Sequence, residues 1–203
     1  MINLNLGAGM RWKERENWVA IDKRYSGDTK NYLKFDLLKD SLLTQFEENS
    51  VDLIFTSHTL EHFTFDENCK ILKDCYLLLK SGGGLRIVVP DLELICKKYL
   101  DKDPEWWKAN QIGPAPKSNF QLSFRFLGII GSNRDYKFFT DRDNEAIIKG
   151  AHYFAFDTYL LEEILTRAGF SNIYRCEYRE TKFEGFEGLD ERPICSLYME
   201  AVK

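Results

Sequence analysis

The chain has 203 residues, 44% of them hydrophobic and 30% charged, which is the composition of an ordinary globular domain. Its net charge of −4 argues against nucleic acid as the main partner, and its apolar runs fall far short of the roughly 20 residues of a membrane helix. The five cysteines are widely spaced and no secretory signal stands at the N-terminus, so we expect reduced thiols and a cytoplasmic protein. Length favours a single domain over residues 1–203 and leaves the oligomeric state open.

Five apolar segments in the first half of the chain have the length and composition of buried strands. Most of them end at a glycine or an aspartate, as strands do where the chain turns. The segments are Ile2–Leu6, Trp18–Ile21, Tyr32–Phe35, Val51–Ser57 and Leu85–Val89.

Helical patterns stand between and after these segments. A capping box that starts at Thr64 predicts a helix over 65–80, and Gly83-Gly84 is expected to turn the chain into the next strand. Asp91 is a candidate cap for a second helix. Residues 157–169 predict a third, because an aspartate cap precedes a regular apolar face and a glycine ends it.

The C-terminal part predicts a different arrangement. Ser171–Arg179 and Ile194–Val202 have strand character with no helix between them, which indicates an antiparallel hairpin. Together with the alternating elements before it, this predicts an α/β fold with a doubly wound, mostly parallel sheet. Residues 102–152 break the pattern and are rich in aromatic side chains. Such an insertion is either a functional lid or a helical subdomain whose aromatic residues fill a satellite core.

The stretch Asn3–Gly9 runs from an apolar strand straight into Gly-Ala-Gly, a turn that lets a ligand approach the backbone. Ligands of doubly wound sheets bind at the carboxyl ends of the strands. Asp22 ends the second strand, where a carboxylate can accept hydrogen bonds from ribose hydroxyls, and Asp36 follows the third, where it could bind a base amine. One isolated aspartate is more often a turn or helix cap, but two in series after the glycine turn favour a nucleotide-like cofactor.

In this order the motifs resemble those of the class I S-adenosylmethionine-dependent methyltransferases, in particular the small Methyltransf_11-like members with a Rossmann-like, seven-stranded sheet. The resemblance covers nearly the whole chain outside the insertion. It rests on Leu4–Gly9, Trp18–Asp22, Asp36-Leu37, Val51–Phe55 through Leu60-Glu61-His62, Leu78–Gly83 and Leu161–Phe170.

The resemblance implies methyl transfer as the reaction and S-adenosyl-L-methionine as the cofactor. The glycine turn, which consists of Asn5, Leu6, Gly7, Ala8 and Gly9, would pass under the methionine part of the cofactor. Asp22 would bind the ribose, Asp36 with Leu37 would lie at the adenine, and Ser57 and His58 would border the sulfonium. Because the motif commonly begins with an acidic residue where this chain has Asn5, a catalytically silent relative is an alternative.

Two other classes have partial signatures. A nicotinamide or flavin enzyme needs a third small residue three positions after the second glycine, and Trp12 stands there. The stretch from His58 through Glu61 to His62 has the His-x-x-Glu-His spacing of inverted zinc peptidases. A zinc hydrolase would need these residues within one helix, but they directly follow a strand and precede the cap at Thr64, and the sequence shows no third ligand. We therefore predict no metal and keep the zinc hydrolase as an alternative.

Methyl transfer is an in-line displacement at a cationic sulfur, so much of its rate comes from positioning the acceptor. A hydroxyl acceptor must also lose a proton. His58 is the first candidate for the base, with His152 and Asp91 as further candidates, whereas His62 is expected to tie the loop to the helix that follows. The expected acceptor is a small molecule or a saccharide, covered by the insertion at about 102–152.

Overall fold

The structure is a computed structural model that describes residues 1–10, 12–25, 31–109, 119–130 and 152–203. Seven strands form one mixed sheet: β1 (Asn3–Leu6), β2 (Trp18–Ile21), β3 (Tyr32–Leu33), β4 (Val51–Ser57), β5 (Leu79–Pro90), β6 (Asn172–Cys176) and β7 (Ser196–Val202). Their order across the sheet is β3-β2-β1-β4-β5-β7-β6. Strands β1 to β5 are parallel, and β7 runs antiparallel between β5 and β6. The predicted doubly wound α/β sheet with a C-terminal antiparallel hairpin is confirmed.

The carboxyl ends of β1, β2 and β4 meet at one edge of this sheet. Leu6, the last residue of β1, pairs with Ile21 of β2 and with Thr56 of β4. Most residues of these strands are buried because helices or loops cover both of their faces, and Leu4 and Ile54 are fully buried. The residues that follow the three strands therefore lie side by side, which is where a doubly wound sheet binds its ligand.

Five α-helices lie in the described part of the chain: α1 (Phe65–Leu78), α2 (Leu92–Leu100), α3 (Pro104–Ala109), α4 (Asn119–Ile130) and α5 (Thr158–Ala168). The predicted caps are confirmed, since Thr64 and Glu67 form a capping box on α1, Asp91 and Asp157 cap α2 and α5, and Gly169 ends α5 with φ of +120°. The apolar faces of α1 and α5 pack together in the main core. No helix among the described residues is long and apolar enough to cross a membrane.

The segment 79–84 differs from its prediction. Helix α1 ends at Leu78, and β5 starts at once, so that Gly83 and Gly84 lie within a strand and do not form a turn. Close approach explains these glycines, because an added Cβ at Gly83 would lie 2.9 Å from the Asp52 carbonyl oxygen and one at Gly84 would lie 2.7 Å from the Phe183 ring. Glycine in a strand thus marks a place where other atoms come near the backbone.

The described part of the insertion contains the satellite core that was the alternative to a lid. Trp107 of α3 is fully buried against Ile95 of α2 and Leu122 of α4. Residues 110–118 and 131–151 lie outside the described residues, and with them Tyr136, Phe138 and Phe139 of the aromatic set. Between β1 and β2, residues 8–10 and 12–17 contain no helix, in keeping with the short crossover.

Candidate functional site

The glycine turn after β1 has a backbone that only glycine adopts at low cost. Gly7 and Gly9 have φ of +69° and +68°, in the left-handed region. The amides of Gly7 and Ala8 donate to the Ile21 carbonyl oxygen, which fixes the turn to the end of β2. Thr59 closes its other side, because a Cβ at Gly7 would lie only 2.1 Å from Thr59 Oγ1. At Gly9 the nearest atom of the described residues to such a Cβ is Arg24 Nη2, 4.0 Å away, so these residues leave room beside the second glycine.

Asp22 lies directly beside this turn. Its carboxylate is almost wholly buried and accepts hydrogen bonds from the Gly9 amide at 3.0 Å and the Arg24 amide at 2.8 Å. The exposed Arg24 guanidinium adds two longer contacts of 3.2 and 3.3 Å. Burial alone would raise the pKa of Asp22, but the bonds and charge from Arg24 and the Gly9 amide outweigh burial and lower it. The site therefore holds an ionised acceptor next to the open side of Gly9.

The other predicted cofactor residues lie along the same edge. Asn5 is a buried residue of β1 and precedes the turn. Asp36 caps a local turn by accepting from the Leu38 amide at 3.2 Å, and Leu37 is buried beside it. Ser57 is the last residue of β4. The structure thus places these residues at the ends of the strands that border the glycine turn.

His58 begins the loop after β4, and its backbone is strained, with φ of +50°. Its Nε2 lies 2.9 Å from Ser196 Oγ and its Nδ1 lies 3.3 Å from Glu61 Oε1. The residues after it do not form an α-helix with it, because only a single 3-10 turn follows, Leu60–His62. Asn68 ties this loop to α1 by donating to the Leu60 and Phe63 carbonyl oxygens.

The two further base candidates have different surroundings. Asp91 is buried, caps α2 through the Leu94 amide and accepts from Arg175 Nη2 at 2.9 Å, so its carboxylate is engaged in structural contacts. His152 lies across from the loop after β4, with its Nε2 4.0 Å from Glu61 Oε1. Burial lowers the pKa of His152 more than the Glu61 charge raises it. The structure therefore brings His58 and His152 together around Glu61 and leaves Asp91 apart from them.

Three residues at the site were missed in the sequence. Thr59 shapes the glycine turn, Arg24 covers Asp22, and Tyr32 donates its hydroxyl proton to the Gly9 carbonyl oxygen. None belongs to a recognisable motif. The position of Tyr32 at the start of β3, next to β2, was the one available signal.

Residues 15–87 match a family model, Methyltransf_11, that is described as a methyltransferase domain. This region runs from the residues before β2 into β5 and contains Asp22, Asp36, Ser57 and the loop from His58 to His62. No curated protein matches the chain in sequence.

Solved structures of S-adenosylmethionine-dependent methyltransferases share the fold over essentially the whole chain. One from Mesorhizobium loti superposes with a TM-score of 0.57 at 15% identity, covering 100% of this chain and 90% of that one. A putative one from Listeria monocytogenes gives 0.54 at 17% identity with coverage of 100% and 90%, and one from Archaeoglobus fulgidus gives 0.53 at 14% with 99% and 85%. At these identities the similarity establishes the fold.

Proposed function

Because the chain belongs to the class I S-adenosylmethionine-dependent methyltransferases, we propose that it transfers a methyl group to a small-molecule or saccharide acceptor. The observation that carries this proposal is the left-handed Gly7-Ala8-Gly9 turn with the Asp22 carboxylate beside it, at the edge where β1, β2 and β4 end. Asp36 and Leu37, after β3, extend the same edge.

The residues of this edge fit the cofactor. The open side of Gly9 leaves room for a ligand close to the backbone, and the buried Asp22 carboxylate is an acceptor suited to a pair of ribose hydroxyl donors. The exposed Arg24 guanidinium makes the longest bonds to that carboxylate, so it is the donor that hydroxyl groups would replace. Asp36 and Leu37 would hold the adenine, and Asn5 and Ser57 would border the methionine part.

S-adenosylmethionine supplies a methyl group on a positively charged sulfur. The protein's part is then to hold the acceptor oxygen in line with that group and to exclude water. We assign His58 as the base, because it lies at the end of β4 next to Thr59 and the glycine turn, and because imidazole accepts protons near neutral pH. The insertion, which returns to the site at His152, would cover the acceptor.

The proposal is tested by calorimetric titration of the full chain with S-adenosylhomocysteine. We expect one equivalent to bind, and we expect Asp22→Asn to weaken binding about 5- to 150-fold, because a charged hydrogen-bond acceptor is worth about 1 to 3 kcal/mol. Asparagine keeps one oxygen for the Gly9 amide, so the turn should persist.

Asp52→Asn is the matched control for this substitution. Asp52 is also an aspartate in an ion pair, with Lys80 at 2.9 Å, but it lies at the start of β4, at the opposite edge of the sheet. This variant should bind S-adenosylhomocysteine with unchanged affinity. No binding by the wild-type chain would contradict the proposed function, and equal affinities for the two variants would contradict the role of Asp22.

A further inference from the structure

One buried carboxylate near the glycine turn accepts no hydrogen bond from the described residues. Glu61 is 1% exposed, and no hydrogen bond from the described part of the chain reaches either of its oxygens. His58 Nδ1 comes within 3.3 Å of Oε1 but without the alignment of a hydrogen bond. Burying a carboxylate without hydrogen-bond donors costs free energy, and proteins retain such a group where an opposite charge compensates it.

All three histidines of the chain surround this carboxylate. His58 Nδ1 and His152 Nε2 lie 3.3 and 4.0 Å from Glu61 Oε1, and the His62 ring stands edge-on to the His152 ring with 5.0 Å between centroids. A ligating atom from each of Glu61, His62 and His152 lies within 4.8 Å of the other two. Glutamate with two histidines is a ligand set of catalytic metal centres that keep open positions.

The tautomer of His152 supports this arrangement. Its Nδ1 lies 2.8 Å from the Ile129 carbonyl oxygen, which can only accept, so Nδ1 carries the proton. In the neutral ring Nε2 then presents a lone pair toward Glu61 Oε1. Two acceptors that face each other with no proton between them repel, whereas a cation between them would satisfy both. A bond from the second histidine nitrogen to a backbone carbonyl is also the usual way of orienting a metal-ligating imidazole.

The backbone holds the ligands in place from both sides. The amides of Tyr153 and Phe154 donate to the Glu61 carbonyl oxygen at 2.8 and 3.1 Å, which fixes the end of the insertion to the loop after β4. Metal bonds to imidazole nitrogen and carboxylate oxygen are each roughly 2.0 to 2.2 Å, so two ligand atoms of a tetrahedral site lie about 3.4 Å apart. The Nε2 to Oε1 distance of 4.0 Å is slightly wider than this span, and side-chain rotation can close the difference.

We propose that Glu61, His62 and His152 bind one divalent transition-metal cation of the zinc type. This site differs from the His-x-x-Glu-His arrangement weighed in the sequence, because His152 takes the place of His58 and no α-helix holds the ligands. Imidazole nitrogens select such ions over magnesium or calcium, which prefer oxygen ligands.

The open coordination positions of the cation suit an acceptor hydroxyl, and this further step rests on the proposed function. Thr59, two residues before Glu61, touches the glycine turn, so the cation would lie on the acceptor side of the cofactor edge. The cation would lower the pKa of a hydroxyl bound to it, and His58 would take the proton. The oxygen–methyl bond would then form as the sulfur–methyl bond breaks, with the electron pair of that bond left on sulfur.

The test uses the full chain without an affinity tag, stripped with a chelator and titrated calorimetrically with Zn²⁺. We expect one equivalent to bind, and we expect Co²⁺ to give the absorption of a site with nitrogen and oxygen ligands. Glu61→Gln and His152→Ala should each weaken Zn²⁺ binding by at least about 100-fold, because loss of a direct ligand should cost no less than the 10- to 100-fold loss of its outer partners.

Two control variants separate this site from the alternatives. Glu67→Gln changes the same side chain six residues away and keeps the capping box, so Zn²⁺ binding should be unchanged. His58→Asn should still bind one equivalent, whereas it would lose the ion if the His-x-x-Glu-His motif were the ligand set. Circular dichroism checks folding, and if Glu61→Gln does not fold, His152, whose side chain is 22% exposed, provides the decisive variant.

Absence of stoichiometric Zn²⁺ binding, or retention of full affinity in His152→Ala, would overturn the proposal. S-adenosylhomocysteine titration of the same chelator-treated chain distinguishes this failure from failure of the proposed function. We expect the metal-free chain to bind S-adenosylhomocysteine with an affinity within about twofold of that of the metal-loaded chain, a change of less than 0.5 kcal/mol. The reason is that Asp22 and the glycine turn contain none of the three metal ligands.

Discussion

Replacement of Arg86 by methionine is expected to lower the free energy of unfolding by about 3 to 5 kcal/mol. Arg86 projects from β5 and is 1% exposed. Its guanidinium donates to both oxygens of Asp190, at 3.0 and 2.6 Å, and to Glu200 Oε1 at 2.6 Å. Both carboxylates are also buried, so the variant would leave two negative charges facing each other without a cation.

The same guanidinium holds the segment before β7 against the sheet. It donates to the Glu180 carbonyl oxygen at 2.8 Å, while Asp190 accepts from the Arg179 amide and Glu200 from the Tyr174 hydroxyl, each at 2.8 Å. Burial works against the charge on Arg86, but the bonds and charges of the two carboxylates outweigh it and raise its pKa. The Arg86 guanidinium therefore keeps its charge inside the core.

Urea unfolding of wild type, Arg86→Met and Lys80→Met measures this effect, with equal m-values as the check on two-state behaviour. Lys80→Met is the matched control, because it also removes a cation from an ion pair, but Lys80 and its partner Asp52 are partly exposed. It should cost no more than about 1 kcal/mol. A loss below about 1 kcal/mol in Arg86→Met would show that the cluster does not depend on its cation.

Gly7→Ala is expected to destabilise the chain by about 2 to 5 kcal/mol and to abolish measurable S-adenosylhomocysteine binding. The left-handed φ of +69° costs an alanine about 1 to 2 kcal/mol. The overlap with Thr59, whose Oγ1 and Cγ2 would lie 2.1 and 2.4 Å from the new methyl group, adds a packing cost of about 1 to 3 kcal/mol.

Gly9→Ala separates these two costs. The φ of Gly9 is nearly that of Gly7, but among the described residues the atom nearest to the new methyl group would be Arg24 Nη2, 4.0 Å away. Thermal unfolding without cofactor should show a loss of only about 1 to 2 kcal/mol for this variant. Adding Thr59→Ala to Gly7→Ala should recover part of the packing cost, since it removes the two closest atoms. Equal destabilisation by the two alanines would mean that Thr59 does not close the turn.

The sequence predicted the centre of the fold well, because that part is dictated by local patterns. β2 and β4 have the predicted boundaries, and α5 has its predicted cap and stop. Each is an uninterrupted apolar or helical pattern bounded by a residue with its own turn chemistry. Gly83-Gly84 was misread because glycine marks both turns and close approaches, and only the position of Phe183 distinguishes the two here.

The candidate site was predictable only in part. Asp22 could be placed beside the glycine turn because both follow neighbouring parallel strands. The approach of His152 to Glu61 could not be predicted, since the two residues are far apart in sequence and hydrogen bonds at 153 and 154 bring them together. Arg86 likewise stands in an apolar strand, with carboxylate partners more than a hundred residues away.

The hydrogen bonds from the amides of Tyr153 and Phe154 to the Glu61 carbonyl oxygen involve no side chain. Any residue except proline can form them, so the attachment of the insertion does not constrain its sequence. These two bonds therefore make no demand on the side chains at positions 153 and 154. The point at which the chain returns to the loop after β4 would persist through side-chain changes at both positions.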